Sequence, residues 1–210
     1  MDFDGAVWAY AHPKEAEGLD LPEGLLLGVG KVEAALSLTR RLGARLPSAV
    51  INVGVAGAYP DHGLDVGDVC IVVEETFADE GVVTPDGFED LVALSLASTN
   101  RWTADAALVR AVSALLPAAP RVRGTTVSTC SGVDARAHAY AERVDAAVET
   151  MEGAAVARVC AAFGVPWVQL RGISNRTGDR ARGGWDLSLA KHRLHEATRR
   201  LLGRESPPRP

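Results

Sequence analysis

Short apolar runs alternate along the chain with longer stretches of helical periodicity. The short runs predict strands at 5–11, 25–29, 48–57, 67–75, 121–129 and 165–174. Apolar residues at helical spacing predict helices at 32–46, 103–116, 152–164 and 186–203. Thr103 has the residue type and the position of an N-cap for the second of these helices. Several strands are apolar on both faces, which indicates an α/β fold whose central sheet is covered by helices on both sides.

The length and composition of the chain are those of one ordinary globular domain. It has 210 residues, of which 47% are hydrophobic and 23% charged, and this balance excludes a disordered chain. No linker is long enough to divide it, so we expect a single domain over 1–203 and a frayed tail at 204–210. Residues 76–102 are the least regular part and are either a functional loop or a long surface excursion, of which the second is favoured.

The net charge and the N-terminal segment indicate which partners and which location to expect. A net charge of −5 argues against nucleic acid and anionic membrane surfaces as partners. The N-terminus is acidic where a signal peptide needs positive charge, and no apolar run reaches membrane-spanning length, so a cytoplasmic protein is predicted.

Three widely spaced cysteines without a CxxC pair do not favour a zinc or redox site, and no metal or other cofactor is expected. His192 and His195 are interpreted as part of a solvated helix face.

Candidate chemistry is concentrated where the predicted strands end, because ligands of such sheets bind there. Polar residues and glycines follow the apolar runs at 11–15, 52–57, 149–155 and 171–175. No P-loop, GxGxxG or GxSxG motif is present in these segments. Gly54 and Gly57 allow either close approach of a ligand to the backbone or a tight turn, and Asn175 is either a site residue or a turn residue.

Glu152 and Arg171 are charged residues in buried patterns. Glu152 lies on the same stripe of its predicted helix as Val156 and Val159, where a carboxylate is costly unless it is paired or faces a cavity. Arg171 interrupts an apolar strand and needs a partner, for which an acid such as Glu152 is suited. Glu15 follows the first strand and, taken alone, is typical of a surface acid. Two carboxylates, an arginine and an amide, with no metal or nucleophile, suit cleavage of a glycosidic bond by water.

Five motifs in order resemble the superfamily of purine nucleoside phosphorylases and nucleosidases, and the similarity runs from about residue 5 to 200. They are GVGKVEAA (28–35), INVGVAGAYPDHGLDVGDV (51–69), TVSTCSG (126–132), ETMEGAAVARVC (149–160) and VPWVQLRGISN (165–175). The hydrolytic branch, comprising methylthioadenosine/S-adenosylhomocysteine nucleosidases and futalosine hydrolases, is the most similar. ETMEGAA with ISN, and FADEG at 77–81, are closest to the futalosine hydrolases.

The resemblance implies a three-layer α/β/α sandwich with a central mixed twisted sheet, a homodimer or higher homo-oligomer, and a purine nucleoside as substrate. It implies that Glu15 activates water, that Glu152 holds the ribose hydroxyls and that Arg171 helps to position Glu152 and the water. The remaining substrate-binding residues that it implies are Val55, Ala56 and Gly57 at the sugar and water, Met151 against the sugar, Gly132 and Val133 at the base, and Ser174.

Asn175 departs from the adenine-specific members, which have Asp at this position. An amide donates to a 6-oxo group and accepts from N7–H as the base leaves, so Asn175 favours hypoxanthine or guanine over adenine. Futalosine, whose base is hypoxanthine and which belongs to menaquinone biosynthesis, fits this pattern. Its carboxylate needs a cationic or amide-rich pocket, for which the candidates are Arg176, Arg180, Arg182 and His62.

Other functions remain as alternatives. These are methylthioadenosine/S-adenosylhomocysteine nucleosidase, 6-oxopurine nucleoside hydrolase or phosphorylase, and a nucleoside-binding protein without catalysis. A phosphorylase needs cationic groups for phosphate, and the segments AVINVG and AHPKE contain no arginine, which favours water as the nucleophile.

Overall fold

The computed structural model describes residues 3–60, 62–182 and 184–204. Its helices are α1 (Pro13–Ala16), α2 (Lys31–Ala44), α3 (Ala106–Leu115), α4 (Asp134–Val144), α5 (Gly153–Phe163) and α6 (Leu187–Leu201), with a 3₁₀ turn at Arg180–Arg182. Its strands are β1 (Ala6–Tyr10), β2 (Gly24–Leu26), β3 (Ala49–Ala58), β4 (Val69–Phe77), β5 (Gly81–Thr84), β6 (Gly87–Asp90), β7 (Arg101–Thr103), β8 (Arg121–Thr126), β9 (Val148–Thr150) and β10 (Trp167–Arg176). Most of the predicted tail, residues 205–210, lies outside the described residues.

Eight strands form one mixed sheet in the order β10-β4-β8-β9-β3-β1-β2, with β7 paired to β4. Strand β10 also pairs in parallel with β3, so the path closes into a ring of β3, β10, β4, β8 and β9. Parallel pairs such as β4–β8 coexist with antiparallel pairs such as β10–β4. A central mixed sheet with flanking helices confirms the predicted fold class; closure of the ring was not foreseen.

The core explains why β3 and β10 are apolar on both faces. Helix α6 packs on β10, and α2 packs on α5. The largest fully buried side chains include Trp8, Leu38, Ile51, Leu170 and Leu194, which come from strands and helices alike. Burial on both faces requires near-continuous hydrophobic runs, and a polar residue within such a run therefore needs a partner of its own.

The structure corrects one predicted helix start. Thr103 belongs to β7, where it pairs with Glu74 of β4, and it does not cap a helix. Helix α3 begins after Asp105, whose side chain accepts the Leu108 N–H at 2.8 Å. Asp and Thr are both preferred N-cap residues, because either side chain accepts a free N–H of the first helical turn. Residue type alone therefore does not show whether the helix begins after Thr103 or after Asp105.

Residues 76–102 are more regular than predicted. They contain the end of β4, the β5–β6 hairpin and most of β7. Helix α4 and strand β9 were also missed, the first because its apolar stripe is sparse and the second because it has three residues. Among the described residues, no helix combines the length and the apolarity needed to cross a bilayer.

Candidate active site

Glu15 is buried in α1, the single turn that follows β1. Its Oε2 accepts the N–H groups of Ala11 and His12 at 2.9 and 3.0 Å. Its Oε1 accepts the Val55 N–H of β3 at 3.0 Å. Three backbone donors, two just after β1 and one within β3, therefore fix the orientation of this carboxylate, which is not a surface acid.

His195 of α6 fixes the position of α1 through a hydrogen bond. Its Nε2 lies 2.7 Å from the Glu15 carbonyl oxygen and donates to it, because a carbonyl can only accept. The prediction of a solvated face is wrong for His195, which is buried, whereas His192 is exposed. Burial lowers the pKa of His195, against the effect of the bond to Glu15. The described residues contain no group of three or more His, Cys, Asp or Glu side chains arranged to hold a metal ion.

Glu152 is the N-cap residue of α5, one position before the predicted helical turn. Its side chain does not cap that helix. It reaches the loop before α2, where Oε1 accepts the Gly30 N–H at 2.8 Å. Burial raises the pKa of Glu152 and the nearby Glu15 carboxylate adds to this, while Arg171 and the Gly30 N–H act in the opposite direction. The two acids and the arginine are therefore close enough to act on one another.

Arg171 has a different partner from the one that the sequence suggested. Its Nε and Nη2 donate to the Gln169 side-chain oxygen at 3.2 and 2.8 Å. Within the described part of the chain no ion pair joins it to a carboxylate, so the expectation that Glu152 is its direct partner is wrong. Gln169 and Arg171 are two residues apart in β10, so their side chains project from the same face of the strand. The Gln169 amide therefore lies next to the guanidinium.

Two glycines of β3 make room for the candidate catalytic groups. A β-carbon at Gly54 would lie 2.3 Å from Arg171 Nη1 and 2.7 Å from Glu15 Oε1, both shorter than any tolerated contact. A β-carbon at Gly57 would lie 3.1 Å from Asn175 Nδ2. Both glycines are within a strand, which excludes the tight turn and leaves close approach as their role.

Asn175 is buried within β10, so it is not a turn residue. A bulge between Ile173 and Asn175 interrupts the pairing of β10 with β3 at this point. Ser174 Oγ donates to Asn175 Oδ1 at 2.8 Å, and Asn175 Nδ2 lies 3.2 Å from the Arg176 carbonyl. Bulges commonly redirect side chains beside active sites, and this one places a held amide beside Gly57.

The other predicted substrate-binding residues differ in how far they are buried. Ala56 is buried and its carbonyl lies 3.2 Å from Ser174 Oγ, while Met151 is half-buried beside Glu152. Gly132 has open space where a β-carbon would stand, and Val133, just before α4, is 55% exposed. The segment containing them lies near the acids: burial chiefly, with the charges of Glu149 and Glu152, raises the pKa of Cys130 to about 11.

Glu149 is a buried acid that sequence reasoning did not single out. It accepts from Tyr59 Oη at 2.9 Å, from the Ser131 N–H at 2.8 Å and from Ser131 Oγ at 2.5 Å. It therefore ties the segment that includes Gly132 to strand β9. Its place in a buried strand of the ETMEGAA motif was the available signal. Burial and the Glu149 charge raise the pKa of Tyr59 strongly.

Sequence comparison places this arrangement in a known class. Residues 24–203 match the model of the phosphorylase superfamily, and the chain belongs to that family.

Within the superfamily, the chain is similar to nucleosidases of two kinds. It is 36% identical over 181 residues to futalosine hydrolase from Thermus thermophilus, covering 85% of this chain and 80% of the relative. It is 32% identical over 177 residues to 5′-methylthioadenosine/S-adenosylhomocysteine nucleosidase from Shewanella piezotolerans, covering 81% and 75%. The solved structure of a futalosine hydrolase mutant from Helicobacter pylori aligns with a TM-score of 0.80 at 20% identity, covering 94% and 98%, and supports the fold.

Proposed function

We propose that this protein hydrolyses the N-glycosidic bond of a 6-oxopurine nucleoside, with futalosine as the substrate and hypoxanthine as the released base. The observation that carries the proposal is the approach of Glu15 Oε1 and Arg171 Nη1 to one face of Gly54, with the Glu152 carboxylate nearby. Cleavage of this bond leaves positive charge on the sugar, and two buried carboxylates stabilise it.

Glu15 is the group that deprotonates water in this proposal. Its Oε1 accepts the Val55 N–H and lies close to Gly54, so this part of β3 orients the oxygen that takes the proton from water. Glu152 accepts from the ribose hydroxyls, because two carboxylate oxygens can accept about four hydrogen bonds and the backbone donors Gly30 and Met151 do not use them all. Arg171 orients the water and offsets part of the charge of the two carboxylates.

Asn175 reads the base. Gly54 and Gly57 are three residues apart on β3, which spans roughly 10 Å and matches a ribose followed by the five-membered ring of a purine. Ser174 holds the amide oxygen of Asn175, which leaves Nδ2 as the donor for a 6-oxo group. An adenine amino group at that place would set two donors against each other.

Water is preferred to phosphate as the nucleophile. A phosphorylase binds a dianion through cationic side chains, and the segments at 11–15 and 49–54 that border Glu15 contain no arginine. Arg171 is the buried cation at the site, and its Nε and Nη2 are bound to Gln169. The relatives named futalosine hydrolase favour the same nucleophile.

The carboxylate of futalosine is assigned to Arg180. Arg176 and Arg182 are engaged in ion pairs with Asp65 and Asp134. Arg180 instead lies over the half-exposed ring of Trp185, 5.0 Å from its centroid. The Arg180 guanidinium and the Trp185 ring together offer a charge for the carboxylate and a surface on which an aromatic acid can stack.

The test of the proposed function is base release measured by chromatography. Purified protein is incubated with futalosine, inosine or methylthioadenosine, each with and without phosphate. We expect hypoxanthine from futalosine at a rate that does not depend on phosphate. Adenine from methylthioadenosine as the main product would refute the reading of Asn175 and support the nucleosidase relatives at 32% identity. Release that requires phosphate would refute water as the nucleophile.

A homodimer is proposed from an exposed apolar face beside the site. Val29 is 53%, Val32 77% and Leu36 42% exposed, and the last two lie one turn apart on α2. These residues adjoin Gly30, which holds Glu152, so a second copy would cover the site. Val32→Glu is expected to convert a dimer into a 22.1 kDa monomer and to lower base release. Sedimentation of the wild type as a monomer would contradict the proposal.

A further inference from the structure

Glu75 of β4 is a fully buried carboxyl that no role assigned above uses. Its two oxygens have separate partners. Gln169 Nε2 donates to Oε1 at 3.0 Å, and Thr126 Oγ1 donates to Oε2 at 3.0 Å. A carboxyl is costly to bury, and a hydrocarbon side chain at this place would carry no such cost, so its presence calls for a physical reason.

Two glycines make the space that this carboxyl occupies. A β-carbon at Gly153 would lie 2.0 Å from Glu75 Oε1, and one at Gly124 would lie 2.7 Å from it. Gly124 is in β8 and Gly153 is the first residue of α5, so two separate elements leave room for one carboxyl group. The volume that their missing side chains leave is filled by the carboxyl group of Glu75.

The first arm of the network leads from Glu75 to Arg171. The Gln169 side-chain oxygen accepts from Arg171 Nε and Nη2, and also from Asn52 Nδ2 at 3.1 Å. Since that oxygen faces three donors, the Gln169 amide nitrogen must face an acceptor, which is Glu75. Removing Glu75 leaves the Gln169 amide nitrogen without its acceptor, so the amide is no longer held in place against Arg171.

The second arm leads from Glu75 to the start of α5. Thr126 Oγ1, which donates to Glu75, accepts the Ala154 N–H at 2.7 Å. Ala154 is in the first turn of the helix whose N-cap is Glu152. The hydroxyl can satisfy that N–H and still donate to Glu75, because a hydroxyl is donor and acceptor at once. One buried acid is thus connected to both Arg171 and the backbone that carries Glu152.

We propose that Glu75 is a positioning residue that holds Arg171, through Gln169, and the start of α5, through Thr126, at a fixed spacing around the substrate. The inference rests on the proposed function, since it explains how the groups assigned to that reaction are held. Misplacement by about 1 Å of a group that orients substrate lowers turnover by roughly 100-fold. Loss of either arm therefore affects the chemical step more than binding.

The charge of this network changes near neutral pH. Burial raises the pKa of Glu75 to about 7, against the effects of Arg171 and of the bonds from Gln169 and Thr126. Arg171 is the charged group that acts on it; the residues facing it from β8 and α5 are Thr126, Gly124 and Gly153, which are uncharged. Above this pKa the ionised carboxylate accepts more strongly, so turnover is expected to rise with pH through about 7.

Consecutive threonines of β8 supply a matched pair of variants. Thr125 and Thr126 are both fully buried, and Thr125 Oγ1 donates to the Thr76 carbonyl at 2.9 Å on the opposite face of the strand. Thr126→Val is expected to lower kcat for base release about tenfold or more with KM changed less than about threefold. Both variants are expected to lower the unfolding temperature by a similar amount, because each removes one buried hydroxyl. Thr125→Val is expected to leave kcat unchanged.

Variants of Glu75 and Gln169 complete the experiment. Gln169→Met and Glu75→Leu are expected to lower kcat by about 10- to 100-fold, again with little change in KM. Glu75→Gln keeps an acceptor for Gln169 and is expected to match the wild type at pH 6, but to lack the rise in turnover above pH 7. Wild-type kcat and pH profile in folded Gln169→Met and Thr126→Val would overturn the inference, even if Glu75→Leu does not fold.

Failure of the proposed function is distinguishable from failure of this inference. If the wild type releases no base from futalosine, inosine or methylthioadenosine, the proposed function fails. The network is then followed by NMR of the ¹⁵N-labelled protein through the Arg171 Nε–H resonance. We expect this resonance to titrate near pH 7 in the wild type and not in Glu75→Gln. An Arg171 resonance that is the same in both proteins at every pH would overturn the inference.

Discussion

Glu15→Gln is expected to lower kcat for base release by roughly 100- to 10,000-fold, the range contributed by general acid–base groups. An amide has no basic oxygen with which to take a proton from water. It also has only one acceptor atom, whereas Glu15 uses both oxygens to accept the N–H groups of Ala11, His12 and Val55. The NH₂ group of the substituted side chain therefore faces a backbone donor, and the free energy of unfolding falls by about 1–3 kcal/mol.

Glu17→Gln is the matched control for this variant, because Glu17 lies two residues away and is exposed. Both proteins are compared by circular dichroism, thermal unfolding and steady-state release of hypoxanthine from futalosine. We expect the control to retain wild-type turnover. If Glu15→Gln is folded and releases base at the wild-type rate, Glu15 is not the group that activates water.

The parts of the fold that could be predicted are those whose burial is visible in one strand or helix. Strands β3 and β10 are apolar on both faces, so their apolar runs identified a covered sheet. Arg171 and Asn175 are polar residues in one of these apolar runs, and a polar residue buried in this way must have a partner or a ligand. Their positions therefore mark them as candidate site residues. The glycines at 54 and 57 could not be assigned until their strand was known to pass between the acid, the arginine and the amide.

The rest of the site depends on which strands are neighbours, and periodicity carries no such information. Glu75 and Gln169 are 94 residues apart and meet because β4 pairs with β10. Sequence alone therefore favours the buried acid Glu152 as the partner of Arg171 and does not indicate the Gln169 amide that holds it. The spacing of His192 and His195 likewise describes only their own helix, whereas α1, which contacts His195, comes from another part of the chain.

Asn175→Asp is expected to shift the ratio of kcat/KM for 6-oxopurine over 6-aminopurine nucleosides by roughly 100-fold or more towards the amino base. Asn175 Nδ2 is the donor available at the buried site beside Gly57. A carboxylate there presents only acceptors, which oppose the oxygen of hypoxanthine and pair with the amino group of adenine. The ratio is measured with futalosine and methylthioadenosine in parallel, under identical phosphate and pH.

Ser174 makes this prediction specific to the base. Its hydroxyl donates to Asn175 Oδ1 and can donate equally to an aspartate oxygen, so the substituted side chain is held in the same orientation. A variant that merely loosens the site would lower kcat/KM for both nucleosides together. A parallel loss, with the ratio unchanged, would mean that the discrimination lies elsewhere along the β10 bulge and not in the amide. Inversion of the ratio, with Glu15 and Glu152 unaltered, would separate the group that reads the base from the groups that cleave the bond.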